Sequence, residues 1–528
     1  MKDYIIKYFP VCLLLWFGCA PTLVVKESWE DNIRREIQFE KKMGDSTIVR
    51  VMTYSESGVL LEEINYKKDR IHGALTRWHE NRKKLTEQFY SKGVPIGEWK
   101  WWDEEGRIDS TKEYSKGVLN GFVIFYDNEE IKRYEKSYKK GLLHGVSTWR
   151  NGEGSIDSTK EYSKGILNGS EVFFDKAKRK RYEGSYKNGS LHGESIWWNE
   201  KAQKDSQKVY KNGLLNGVIT YWYRNGQVRA TYKFVKGKLQ GKAYMSDRDG
   251  TLREYKKYKD GLKIGKWETY NSEGRLVSQY KYKKDLLDGV SRQWYSDGNL
   301  WTKDPYSNGG LDGTSITWYA NGMKKSEKKY EHGYLQGTST FWTQYGVKRW
   351  EKEYSTGMLN GKVTKWYSSG KVASETEYVE DLQHGAQIEW YPSGEMKKFD
   401  IFIRGLPHSD ISWNQNELFS KIKVFQADTI RLTITWDKHG RRPKPDRFRS
   451  ERSIEQVRHT NGRLAAEIDY LRNVKDGAEL YYYENGKIKQ LGLHIMGDIV
   501  QLMSWDDDGN LIEVQAFDKN EIVWSNKY

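Results

Sequence analysis

Four histidines, His72, His144, His192 and His384, recur in one setting, each directly before a glycine. Histidine is the commonest nitrogen ligand for zinc and the side chain best suited to moving protons near neutral pH. The same position holds Asn120, Gln240 and Asp288 elsewhere in the chain. What it requires is therefore a short polar group at a turn, and no metal site is expected. Carboxylates number 73 with Asp and Glu together, but no pair stands apart from the alternation of acidic and basic residues that runs through the whole sequence. The recurrent G-x-L-x-G stretches lack the Lys-Ser/Thr pair and the strand-to-helix setting that lets a P-loop cradle phosphate. Neither H-E-x-x-H, C-x-x-C nor G-x-S-x-G occurs. No catalytic residue and no cofactor is assigned, and the expectation is a protein that is not an enzyme.

The two thiols point to export. Lys2 and Lys7 precede an apolar run from Tyr8 to Phe17, followed by Gly18 and Cys19. Ten apolar residues are too few to span a bilayer as a helix but suit the apolar region of a signal peptide. The cysteine after Gly18 resembles the lipobox of bacterial lipoproteins, with Leu13, Leu14 and Leu15 upstream and Trp16 and Phe17 departing from its usual residues. The resemblance implies a signal peptide over 1–18 and a lipid on Cys19. It also implies a bacterial envelope location, lipid-anchored at the outer membrane or cell surface. Cys12 would leave with the signal peptide, so no disulfide is expected.

The elements that must position everything else are set by a repeat. Gly73, Gly97, Gly121, Gly145, Gly169, Gly193, Gly217, Gly241, Gly265, Gly289, Gly313, Gly337, Gly361 and Gly385 stand 24 residues apart without an insertion. The segment IDSTKEYSKGVLNG at 108–121 returns at 156–169 with only Val118 changed, to Ile166. Strict recurrence at such a period marks a unit that stacks on copies of itself. With the closing glycine as position zero, +17 holds Tyr as far as Tyr378, as in Tyr114, Tyr162, Tyr330 and Tyr354, with Phe234 the one departure. Position +5 is aromatic in twelve of fourteen repeats, including Trp198, Trp222, Trp294, Trp318, Trp342, Trp366 and Trp390. A second turn glycine follows at +9, as in Gly106 and Gly226.

Each repeat reads as a β-hairpin turned at its Asn-Gly-like middle and joined to the next by G-x-L-x-G. A lone hairpin is marginal in water, whereas stacked hairpins stabilise one another through cross-strand aromatic pairs. Positions +3, +5, +11 and +17 are all odd, which is read as one aromatic face with part of it exposed for a partner. The fold expected is all-β, an elongated single-layer antiparallel sheet of about fourteen or more stacked hairpins.

Stretches such as YKNGLLNGVITYWYRNGQV (210–228) and YSTGMLNGKVTKWYSSGKV (354–372) resemble MORN-repeat variants. The resemblance covers 51–405 and returns weakly at 462–513, within a segment read as degenerate C-terminal repeats over 461–528. It implies a scaffold of hairpins, and its antitoxin-named relatives imply a toxin as one possible partner. Residues 19–50 are read as a linker and cap, with a helix starting near Ser28 and carrying Trp29, Ile33 and Ile37 on one side. Residues 406–460 are read as a non-repeat insertion with a basic loop, RRPKPDRFR, at 441–449.

Composition fits this reading. The chain is 30% charged and 14% aromatic, with a net charge of +15, and its mean hydropathy is −0.88. So many aromatics argue against disorder, and Lys and Arg spread among Asp and Glu read as a solvated sheet. The function expected is a lipid-anchored envelope scaffold binding a protein or glycan. The alternatives are neutralisation of a partner toxin and direct binding to membrane or an anionic polymer. No specific nucleic acid is expected.

Overall fold

The computed structural model describes residues 22–30, 33–42, 45–426, 429–443 and 451–528. Cys12, Cys19 and the signal segment lie outside the described residues, as do 444–449 of the basic loop. Among the described residues every regular element is a β-strand paired antiparallel to its neighbour in sequence, as when Val94–Trp102 pairs with Ile108–Ser115 and that strand with Val118–Tyr126. The chain divides into two compact bodies, Met1–Arg253 with Tyr258–Leu262, and Glu254–Lys257 with Lys263–Tyr528.

In the N-terminal body the hairpin ladder has two kinds of turn. At the repeat middle, the Gly106 N–H donates to the Asp103 carbonyl and the Asp103 N–H to the Arg107 carbonyl, both at 3.0 Å. Between repeats, Lys116 and Gly117 form a two-residue turn with φ of 51° and 85°, the primed geometry that matches strand twist. The closing glycines, Gly97, Gly121, Gly145, Gly169, Gly193, Gly217, Gly241, Gly265, Gly313, Gly337 and Gly361, all have φ between 61° and 151°. Gly217 shows why: a Cβ there would lie 2.6 Å from Cβ of Val209 across the ladder. The position before each glycine ties successive turns together. His72 Nδ1 accepts from the Lys92 N–H at 3.3 Å, and Asn168 Oδ1 accepts from the Asn188 N–H at 3.0 Å.

The helix expected near Ser28 is a strand pair, Thr22–Glu30 with Ile33–Lys42, and the second of these pairs with Asp45–Tyr54. The i, i+4 spacing of Ile33 and Ile37 satisfies a strand face as well as a helix face. Phe39, two residues further, continues only the strand period.

In the C-terminal body the ladder runs on through Leu406–Trp413, Phe419–Gln426 and Thr429–Thr435, with strand structure across the stretch where the repeat columns vanish. From Arg452 a separate seven-stranded sheet forms. It packs on the first in two layers, so the single layer expected throughout gives way here to a sandwich. The buried core joins Ile388, Phe399, Ile401, Ile411, Ile422 and Val424 of one sheet to Leu480, Leu491, Leu493, Met503 and Val514 of the other. The change follows from composition. The face that carries Glu351, Glu353 and Glu375 earlier in the chain becomes apolar from Ala386 onward, and apolar faces must be covered. His408 Nε2 lies 2.9 Å from the Val500 carbonyl, bridging the layers. Arg442, in the basic loop, is partly buried. Its guanidinium reaches Glu467 at 3.1 Å and Asp469 at 2.6 Å and lies over Trp436.

Candidate binding face

The ladder register decides which side chains share a face. In each hairpin, position zero pairs with +17, +2 with +15 and +4 with +13, as in Gly97–Tyr114, Trp99–Lys112 and Trp101–Ser110. Paired residues point to the same side. The pair numbers sum to an odd value, so parity reverses across the turn. The Tyr column at +17 therefore lies opposite the +5 aromatics, and the single aromatic face expected from the sequence is two faces.

On one side, Trp198, Trp342 and Trp366 at +5 are half-buried. Each is covered by a lysine from the preceding repeat, Lys180, Lys324 and Lys348, at 5.5, 5.2 and 5.2 Å from the ring centroids. The same lysines bridge to Glu183, Glu327 and Glu351. Trp222 is likewise covered by Lys204. Trp318 and Trp390 offer their carbonyls to the hydroxyls of Tyr295 and Tyr367, and Trp294 pairs with Leu300. Trp390 also packs against the sandwich core. These rings are bound up in stitching repeat to repeat.

The other side carries the tyrosines. Tyr114, Tyr162, Tyr330 and Tyr354 are half-buried. Burial holds the hydroxyls of Tyr114, Tyr330 and Tyr354 above the ordinary phenol value. Between them lie two columns that the sequence reading missed. Positions +2 and +13 mostly hold small or aliphatic residues, with Trp99 and Trp267 among the exceptions, and supply many of the most buried side chains of the ladder, among them Ser147, Ser195, Ile219, Ala243, Ser206 and Ala230. A column of Ser, Ala and Val at even spacing was the available signal, but small side chains carry little weight in a search for a hydrophobic core.

Two departures on this side stand out. In the repeat closed by Gly169, Glu171 takes the place of a small +2 residue, opposite Gly184, at a position that is Lys in half of the repeats. Its carboxylate accepts from the Tyr186 hydroxyl and pairs with Lys160, both at 2.8 Å. The second sheet repeats the arrangement, with Glu479 opposite Gly492 and His494 Nε2 at 2.8 Å. A Cβ at Gly492 would crowd His494 and the Glu479 carboxylate, and one at Gly184 would meet the Tyr182 ring, so each glycine leaves room for the side chains beside its carboxylate.

The larger departure is a transverse row of rings. Positions +4 and +13 read, strand after strand, Trp101, Ser110, Phe125, Tyr134, Trp149, Ser158, Phe173, Tyr182, Trp197, Ser206 and Tyr221. Phe125 and Tyr134 stand 4.5 Å apart by centroid, Phe173 and Tyr182 5.7 Å, and Tyr182 and Trp197 5.0 Å. Lysines at +15 rest on this row: Lys112 is 4.7 Å from Trp101, Lys136 4.5 Å from Tyr134, Lys208 4.8 Å from Trp197, and Lys160 5.8 Å from both Trp149 and Phe173. An open cleft lined by Glu171, Phe173, Arg181, Tyr182 and Trp197 lies along it.

Such a surface can hold an extended ligand by ring stacking and by charge. Among the described residues, no group of His, Cys, Asp and Glu is arranged to hold a metal. No curated protein matches the chain. Five stretches, 50–68, 287–308, 311–332, 359–380 and 475–495, match the family described as MORN repeat variant, which is generally non-enzymatic. With the hairpin ladder that contains those stretches, the matches show a β-hairpin repeat protein in which five stretches are similar to MORN repeat variants.

Proposed function

We propose that this protein is a non-enzymatic scaffold, anchored in a bacterial envelope through a lipid on Cys19, that holds an extended partner along its tyrosine-bearing face. The observation that carries this reading is the asymmetry of the two faces. One face uses its aromatics in lysine–glutamate–tryptophan clusters that bind repeat to repeat. The other leaves half-exposed rings under lysines, and exposed aromatic surface is typical of contact sites. The antitoxin reading has no structural feature of its own in its favour.

The test separates the faces. A full-length Cys19→Ser chain, which lacks the anchor, is mixed with isolated envelopes and sedimented. The chain should be retained, and Lys112→Glu with Lys208→Glu on the tyrosine face should release it. Lys100→Glu with Lys233→Glu on the other face should not. A chain that is never retained, or that is released equally by both pairs, removes the proposal.

A further inference from the structure

We infer that the row of rings from Trp101 to Tyr221 is the binding track for an extended acidic polysaccharide, an assignment that deepens the scaffold reading and rests on it. The fold does not need this row. In the C-terminal body the same positions hold Thr269, Ser278, Gln293, Thr302, Thr317 and Ser326, and the ladder is unbroken there, with Thr269 and Ser278 hydrogen-bonded at 2.6 Å. The C-terminal body carries one ring pair at these positions, Phe341 stacked on Trp350. Rings fill all of the row from Trp101 to Tyr221 except Ser110, Ser158 and Ser206, and so dense a row where hydroxyls suffice for folding has a use other than stability.

Spacing and charge name the ligand. Ten strand steps separate Trp101 from Tyr221, about 48 Å at ~4.8 Å per step. An extended β-linked pyranose chain advances by nearly one strand step per sugar, so successive sugars can set their C–H faces on successive rings by dispersion contact. Lys112, Lys136 and Lys160 follow one another at two-strand intervals, roughly 9.6 Å, which suits a carboxylate on alternate sugars. Of the four lysines on the row, Lys160 alone is held by a carboxylate among the described residues, that of Glu171. The ammoniums of Lys112, Lys136 and Lys208 rest on ring faces, from which a ligand anion can draw them. A single-stranded nucleic acid carries a phosphate at every base and would call for a denser line of cations than one per two strands.

The test titrates the full-length chain with a hyaluronan decasaccharide, β-linked with a carboxylate on alternate sugars, and with a cello-oligosaccharide of equal length, oligo-dT and anionic phosphatidylglycerol vesicles, followed by calorimetry. Hyaluronan should bind more tightly than the neutral sugar, less so in high salt. Shortening it from ten sugars should weaken it progressively. Tyr182→Ser combined with Trp149→Thr, which install residue types the ladder uses at these positions in other repeats, should lower its affinity at least tenfold with circular dichroism unchanged. Trp350→Ser in the C-terminal body should leave it unaltered, and Lys208→Gln should weaken hyaluronan but not the neutral sugar. Absence of hyaluronan binding, equal binding of the neutral sugar, or tighter binding of oligo-dT or vesicles overturns the inference. If hyaluronan fails but the Tyr182 and Trp149 changes still release the chain from envelopes, the glycan assignment falls and the scaffold reading stands. If envelope retention is itself indifferent to the face altered, both fall.

Discussion

Replacing Ser195 by alanine should stabilise the N-terminal body. Ser195 is 0% exposed, and its hydroxyl has no hydrogen-bond partner among the described residues. It sits at +2, opposite Lys208, in a column where Ile219 and Ala243 are equally at home. A buried hydroxyl left without a partner costs about 1–3 kcal/mol, and removing it creates a void no larger than one oxygen atom. The net change expected is a gain of about 1 kcal/mol. Ser315 is the control, because it occupies the same column but donates to Asp304 Oδ1 at 2.5 Å. Ser315→Ala removes a bond to a charged group and should cost about 1.5–3 kcal/mol. Because coupling in a repeat array is mostly between neighbours, the readout is amide hydrogen exchange resolved by peptide. Protection should rise over 190–211 in the first variant and fall over 313–331 in the second. Loss of protection in Ser195→Ala would mean that its hydroxyl is satisfied after all, and the account of the column would be wrong.

Phe399 is fully buried between the layers of the sandwich. Phe399→Ala should cost about 3–5 kcal/mol, seen as early unfolding of 382–435 and 452–527 together in urea while exchange over 94–222 is unchanged. Glu479 is held at about 2 by its hydrogen bond to His494, with further help from Lys475 and Tyr481 against the opposing effect of burial. A carboxylate whose folded value is depressed stabilises above its unfolded value, near 4.5, and that contribution is lost as pH falls toward about 2. It amounts to roughly 2–3 kcal/mol, and Glu479→Gln should flatten acid unfolding of the C-terminal body over that window. Gly217→Ala must take a left-handed φ and meet Val209, and it should lower exchange protection in the strands on either side of it by at least about 1 kcal/mol.

Much of the fold was legible because its determinants are local and repeated. The 24-residue period, the primed turns at Lys116-Gly117 and the hairpin pattern follow from glycine positions alone. The face assignment was not, because Tyr114 and Trp102 have the same parity in sequence, and only the register across the turn shows that they point apart. The sandwich was hidden for another reason. Ile388, Phe399, Ile401, Ile411 and Ile422 alternate as a strand core should, but nothing in their own segment shows that a second sheet from 452 onward will cover them. The ring row was also present in the sequence, yet Trp101, Phe125 and Tyr134 fall outside the recurring columns, and pairing alone brings them into line.

The most direct test of the two-face account is site-specific photo-crosslinking in living cells. A photoreactive residue replaces Phe173 on the tyrosine face or Val146 on the other, both exposed positions in the N-terminal body. The account predicts adducts to an envelope component from position 173 and none from 146. Adducts from 146 alone, or equally from both, would contradict it.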